Sequence, residues 1–185
     1  GLKFPKGMEY SGGILYFIDD DGYRVRKIIQ EQRIDSIFLP AGARGSDVAV
    51  RGGFIYVSSW SDHKIYKKPV SGSGEWSVVV SNGISRPRGI AFGPDGLLYA
   101  VSDSTNQVMR VDTSGNVTPI AGNGEYVSAG RIPIIEGAAP ETQPLFTPQD
   151  IVFDSRRNMY ILSSGNISNG VIWKVTGLFS PVVAR

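Results

Sequence analysis

The fold is decided by residues 86–122, which read RPRGIAFGPDGLLYAVSDSTNQVMRVDTSGNVTPIAG. The stretch holds four short apolar runs, and Gly, Asp, Asn and Ser separate them. Runs of about five such residues between turn-forming residues are typical of antiparallel strands joined by hairpins. We name these strands A to D in chain order. The turns leave no room for a helix of useful length.

The same four-strand unit occurs four times along the chain. A tyrosine directly after an apolar residue marks strand B of each unit, and these tyrosines are Tyr16, Tyr56, Tyr99 and Tyr160. A four-stranded meander that repeats about every 40 residues is the sequence signature of a β-propeller blade. The sequence therefore predicts an all-β propeller. Its four blades are expected at about 6–41, 45–81, 87–122 and 148–185, with an inserted loop at 123–147.

Composition narrows the class of protein. The chain has 185 residues, of which 41% are hydrophobic, and this suffices for one domain with a core. The net charge of +2 does not favour a general affinity for nucleic acid. The chain has no Cys, which excludes disulfides and Cys-based zinc sites. We predict no membrane span, because no apolar run approaches the roughly 20 residues that a membrane helix needs.

Residues 86–115 resemble the NHL repeat, in the order Pro-x-Gly-Ile-Ala, Asp-Gly and a Tyr-centred strand, followed by Asp and Asn. The YWTD repeat is the second choice, because residues 52–72, GGFIYVSSWSDHKIYKKPVSG, are similar to it. The inserted loop ends in a segment, residues 136–148, that resembles the lead-in to strand A of an NHL repeat, which favours NHL. The resemblance covers nearly all of residues 6–185. Asp47 and Asp150 depart from it, since the family usually has Gly there.

The resemblance also predicts the number of blades. NHL and YWTD propellers typically have about six blades, whereas the sequence shows four. We therefore expect a partial propeller that lacks about two blades, and a closed ring of four blades is the alternative. The expected partner is either another protein or the remainder of the chain's own propeller.

The loops that join D to A and B to C are expected on one face of the propeller, which we call the loop face. Arginines on this face could receive an anionic ligand, a peptide carboxylate or a nucleic-acid phosphate, and Trp60 with Tyr23 could form a stacking surface. The alternatives are solvated loop charges and a Trp that caps a neighbouring blade. The candidate ligand-binding residues are Arg44, Trp60, Asp62, His63, Arg86, Arg88, Asp103 and Asn106.

Candidates for metal binding are weak. Asp47 and Asp150 could reach the channel end and, together with Asp19, Asp103 or Asn106, hold calcium. The alternative is that each aspartate caps a turn. His63 is the only His, so neither a Ser-His-Asp set nor a multi-His metal site is indicated. We predict no catalytic residue and no cofactor, with calcium as the one cation considered.

Two triplets have the form of glycosylation acceptors, and they begin at Asn116 and Asn166. They favour an extracellular, cell-surface or periplasmic setting. The sequence as a whole predicts a non-catalytic NHL-type propeller that acts as a protein-binding or assembly module through its loop face. The alternatives are a metal-dependent hydrolase or lyase with its site at the channel mouth, and an RNA-binding NHL domain.

Overall fold

A computed structural model describes residues 1–29, 33–125, 137–164 and 170–179. Its fifteen strands are β1 Lys6–Ser11, β2 Ile14–Asp19, β3 Arg24–Ile29, β4 Arg33–Phe38, β5 Gly45–Arg51, β6 Phe54–Ser59, β7 Lys64–Pro69, β8 Ser77–Val80, β9 Pro87–Phe92, β10 Leu98–Ser102, β11 Gln107–Val111, β12 Val117–Ala121, β13 Pro148–Phe153, β14 Met159–Ser163 and β15 Val171–Val175. Helical structure in these residues is limited to the 3-10 turns Asp103–Thr105 and Pro140–Thr142.

The strands form four antiparallel sheets, each of which follows chain order. β1–β4, β5–β8 and β9–β12 are four-stranded, and the described part of the last sheet is β13–β15. Residues 180–185, where the sequence predicts the end of the fourth D strand, lie outside the described residues. The sheets are the blades of a propeller, so the all-β propeller prediction is confirmed. In the described part of the chain, no helix is long and apolar enough to cross a membrane.

Turn chemistry explains why the strands stop where they do. In the first two A–B hairpins, Gly12–Gly13 and Gly52–Gly53 all have positive φ, between 58° and 80°. Only glycine adopts this backbone region without steric cost, so each Gly-Gly pair ends strand A and reverses the chain. In the fourth blade Arg157 takes the positive φ, at 67°, and Asp154 stabilises the turn by accepting hydrogen bonds from the backbone N–H groups of Arg156 and Asn158.

The core lies between successive blades. The A strands β1, β5, β9 and β13 line a common channel, and one apolar cluster fills each space between neighbouring sheets. The repeated tyrosine belongs to these clusters. The ring of Tyr56 packs edge-on against Phe92 of the next blade at 5.0 Å between centroids, and Tyr99 packs against Phe153 at 5.1 Å. The tyrosine that marks each of the first three repeats is therefore an interblade packing residue.

Candidate functional site on the loop face

One interblade contact recurs along the loop face. The last residue of each of the first three B–C loops accepts a hydrogen bond from the residue that leads into the next inner strand, although the residue types differ. The contacts run from Arg44 Nη2 to the Tyr23 hydroxyl at 2.5 Å, from Arg86 N to His63 Nδ1 at 2.9 Å, and from Thr147 N to Asn106 Oδ1 at 3.2 Å. Several predicted binding residues therefore join neighbouring blades.

The loops are also fixed by a buried acceptor at the end of strand B, which the sequence patterns did not reveal. Asp19, Ser59 and Ser102 hold equivalent positions, and each is 0% exposed. Each accepts a backbone N–H from the segment before an inner strand: Lys3 to Asp19 at 2.8 Å, Arg44 to Ser59 at 3.1 Å and Ser85 to Ser102 at 3.0 Å. The signal in the sequence was a small or acidic residue three positions after the repeated tyrosine.

Arg44 contacts both an aromatic ring and a carboxylate on the loop face. Its guanidinium lies 4.8 Å from the centre of the Tyr23 ring and 3.0 Å from a carboxylate oxygen of Asp21. Lys6 reaches the other oxygen of Asp21 at 3.7 Å. Tyr23 remains 43% exposed. The arginine is thus held between a carboxylate and an aromatic ring, and the exposed ring is available to a ligand.

Arg86 and Arg88 share a second carboxylate. Arg86 Nη2 lies 3.7 Å from Asp103 Oδ2, and Arg88 Nε lies 3.2 Å from the same oxygen. The side chain of Asp103 is only 10% exposed, so this acid sits below the two cations. The structure therefore brings these three predicted residues together, as an ion-paired group in which the acid offsets part of the positive charge.

Asp62 and Asn106 serve the loops themselves. Asp62 accepts hydrogen bonds from the hydroxyls of Ser59 and Tyr66, and burial together with the Asp62 carboxylate raises the pKa of Tyr66. Asn106 is 7% exposed and has a left-handed backbone with φ of 51°. Its amide side chain also donates to the backbone oxygen of Glu125 at 3.4 Å. These contacts assign loop-stabilising roles to two of the predicted binding residues.

Trp60 is tied to its own blade through the backbone, and its stacking or capping role stays a prediction. Its backbone N–H donates to Arg44 O at 3.0 Å, and the residue is only partly exposed. Its indole Nε1 is buried and has no hydrogen-bond partner among the described residues. The backbone of Trp60 is therefore fixed to that of Arg44, and the more exposed ring of Tyr23 offers the larger aromatic surface.

The channel mouth is a cavity of about 230 Å³ beside the inner strands, and Asp47 and Asp150 both line it. Asp47 Oδ2 accepts the backbone N–H of Ile90 at 2.9 Å. Burial, followed by the nearby charges of Asp150 and Glu9, raises the pKa of Asp47 to about 7. Asp150 is more exposed, and its partial desolvation also raises its pKa.

The wider calcium set is not assembled. Asp19 lies in an ion pair with Arg26 at 2.5 Å; burial opposes its charge, but hydrogen bonds from Lys3, Asp20 and Arg26 outweigh this and lower its pKa. Asp103 is engaged in ion pairs with Arg88 and Arg86. Within the described ranges, no three His, Cys, Asp or Glu side chains are grouped so that they could hold a metal ion.

The two glycosylation candidates differ in what the structure describes. Asn116 is exposed, and its Nδ2 donates to Asp112 Oδ2 at 2.8 Å. This bond and the others from the turn lower the pKa of Asp112. Asn166 lies outside the described residues. Use of either acceptor stays a prediction.

The likeness of this chain to known proteins is one of fold. No family model matches it, and no curated protein matches it. Solved structures do: virginiamycin B lyase from Staphylococcus aureus is similar over 94% of this chain and 56% of its own, with 19% identity and a TM-score of 0.62. A nidogen/laminin complex matches over 88% and 58%, with 16% identity and a TM-score of 0.69.

A third similar structure is the PQQ-bound aldose sugar dehydrogenase of Streptomyces coelicolor, with 20% identity and a TM-score of 0.62 over 95% of this chain and 60% of that one. Likeness at such low identity shows the fold alone. The fold is a β-propeller. The chain spans little more than half the length of these structures, and their functions range from catalysis to complex formation.

Proposed function

We propose that the chain is part of an NHL-type propeller that acts as a protein-binding or assembly module, with the loop face as its binding surface. The NHL-like sequence of residues 86–115 and the propeller fold support the class of protein. Solved propellers of similar fold include a protein complex, but also enzymes, so the argument depends on the residues of the loop face.

The observation that carries the proposal is the exposed pair of Tyr23 and Arg44. Tyrosine and arginine are, with tryptophan, the residue types enriched among the side chains that dominate protein–protein binding energy. Here the Asp21 carboxylate and the ring itself hold the guanidinium in place, so little side-chain entropy would be lost on binding. A preformed aromatic and cationic pair on an exposed loop favours a protein ligand.

The same ion pairs argue for protein rather than nucleic acid. A phosphate that approached Arg44 would compete with Asp21, and one that approached Arg86 or Arg88 would compete with Asp103. Binding that releases many counterions shows a steep loss of affinity with salt. We expect only a shallow salt dependence for the ligand of this face.

The test uses three single variants of the chain: Tyr23→Ala, Arg44→Ala and, as the control, Arg156→Ala. Arg156 is exposed in the A–B hairpin of the fourth blade, on the opposite face. A partner captured with the wild-type chain is purified, and its Kd is measured for each variant. Loss of Tyr23 or Arg44 should weaken binding by about tenfold or more, which is about 1.4 kcal/mol. Arg156→Ala should leave it within about twofold.

Equal affinity of all three variants would show that the loop face is not the binding surface. Crosslinks from the partner to residues 20–23 and 44 would support it independently of the variants. A captured ligand that disappears after nuclease treatment, with a steep salt dependence, would assign the face to RNA instead.

A metal-dependent hydrolase or lyase is the second candidate, and one observation favours it. Asp47, with a pKa of about 7, lines a cavity together with Asp150, and an acid of that pKa can exchange protons at neutral pH. Turnover of ester and lactone substrates by the purified chain, lost in Asp47→Asn and on addition of a chelator, would establish it. Activity that Asp47→Asn leaves intact would remove this site from the mechanism.

A further inference from the structure

Large apolar side chains are exposed on one face of each end blade. On the fourth blade Val152 is 55%, Leu162 44% and Ile172 71% exposed, and on the first blade Met8 is 66% and Tyr10 71% exposed. Residues directly opposite in an antiparallel pair point to the same face of the sheet. Leu162 is paired with Ile172, and Val152 with Tyr160, two residues before Leu162. Met8 and Tyr10 are two residues apart in β1, so each set lies on a single face.

The exposed face of the fourth blade holds positions that are buried in every other blade. Register relative to the repeated tyrosine gives Ile172 the position of Val25, Ile65 and Val108, and each of these three is 0% exposed. Leu162 has the position of Ile18, Ser58 and Val101, which are also 0% exposed. In the first three blades this face packs against the next blade along the chain.

The exposed face of the first blade is the opposite half of the same interface. Met8 has the position of Val48, Ile90 and Ile151, which are 2%, 4% and 2% exposed because they pack against the preceding blade. Tyr10 has the position of Phe92 and Phe153, whose rings contact the repeated tyrosine of the preceding blade. β4 enlarges the face with Ile34 and Phe38, which are 51% and 64% exposed.

We propose that these two end faces are interfaces for further four-stranded blades of the same propeller, one set following the fourth blade and leading back to the first. Each face carries the side chains that the interior interfaces bury, at the same register, so the occupant that fits is another blade. The exposure of both faces shows that the first and fourth blades do not cover each other. The similar structures continue beyond the four matched blades, since this chain spans 56 to 60% of their length.

The direct test adds blades to the chain and asks whether the end faces become covered. A second copy of residues 6–81, the first two blades, is joined through a flexible linker after residue 185. Its Met8 face would meet the fourth blade, and its second blade would meet the original Met8. We expect a monomer with a higher Tm than the original chain. Binding of ANS, a dye that detects exposed apolar surface, should fall to the level of an ordinary folded protein.

Substitutions in the extended chain locate the effect. Ile172→Lys, at the new junction, and Met8→Lys in the first copy should each restore ANS binding and expose the added blades to protease. Val78→Lys is the control: Val78 is 50% exposed, but it lies on the outer strand β8 of the second blade. It should change neither measurement. Unchanged ANS binding with added blades that protease removes would overturn the proposal.

The original chain of 20.0 kDa supplies a second measurement that does not depend on folding of the added blades. Sedimentation should show a monomer that binds ANS, with weaker ANS binding after Ile172→Lys and unchanged binding after Val78→Lys. A stable dimer that both Ile172→Lys and Met8→Lys dissociate would assign the faces to a second copy of the chain and overturn the proposal. The protein-binding role of the loop face is untouched by either result.

Discussion

Blades 1 and 3 carry glycine at a position of the inner strand where blades 2 and 4 carry aspartate. The residues are Gly7 and Gly89 on one side of the comparison, and Asp47 and Asp150 on the other. A Cβ on Gly7 would lie 2.6 Å from Cα of Asp47, and a Cβ on Gly89 would lie 2.6 Å from Cα of Asp150. The inner strands can approach this closely because every second one lacks a side chain at the contact.

The comparison explains why an acid is tolerated in the channel wall. The carboxylate of Asp47 occupies the space beside Gly7 and accepts the N–H of Ile90 from the blade that follows. Asp150 lies beside Gly89 in the same way, but its own Ile151 supplies its backbone N–H. The same residue type therefore sits between two blades in one case and at an uncovered end in the other.

The largest loss of stability should come from adding a side chain at one of the inner-strand glycines. Gly89→Ala places a methyl group against the backbone of Asp150, which cannot move without shifting β13. We expect the free energy of unfolding to fall by about 3 kcal/mol, measured by urea denaturation. Gly170→Ala is the control, since the nearest atom to its Cβ is at an ordinary distance of 3.5 Å. If the two variants were equally stable, the strands would not be in contact at the glycine.

The second prediction tests the aspartate side through pH. Because the pKa of folded Asp47 is raised to about 7 from an ordinary 3.8, its stabilising contribution is complete below pH 3.8 and is lost as pH rises towards 7. Asp47→Asn keeps an acceptor for Ile90 but removes the titration. The free energy of unfolding of the variant, relative to that of the wild type, should therefore rise by on the order of 2 kcal/mol between pH 4 and pH 8. Parallel stability curves for the two proteins would contradict the raised pKa.

The sequence predicts the blades well because the same tyrosine recurs in strand B of every copy and packs against the next blade in the first three. The tyrosine of strand B packs between blades in each interior interface, so its recurrence marks the repeat. A basic residue of strand C also faces this tyrosine in every blade, which the sequence pattern did not predict. The pairs are Tyr16 with Lys27, Tyr56 with Lys67, Tyr99 with Arg110 and Tyr160 with Lys174. This pairing is a property of register, which only the folded sheet reveals.

The candidate site was harder to predict, for a physical reason. The contact from a B–C loop to the next inner strand uses a phenol, an imidazole and an amide as acceptors, so no residue type repeats at that position. The grouping of Arg86 and Arg88 around Asp103 likewise depends on the distance between two loops. The strand order was enough to predict that the D–A and B–C loops share a face, whereas the contacts of their residues required distances.

The smallest expected effect is that of Asp150 on the pH dependence of unfolding. Because it lies at an uncovered end, Asp150→Asn should alter the pH dependence of unfolding less than Asp47→Asn does. Adding a copy of residues 6–81 after the fourth blade would place the N–H of a second Met8 where Ile90 meets Asp47. In the extended chain, Asp150→Asn should change the pH dependence of the free energy of unfolding by nearly as much as Asp47→Asn does. Urea denaturation at pH 4 and pH 8 measures this change. A covering blade is the only difference between the original and the extended chain. If Asp150→Asn has the same effect in both, the difference between the two aspartates comes from their own strands.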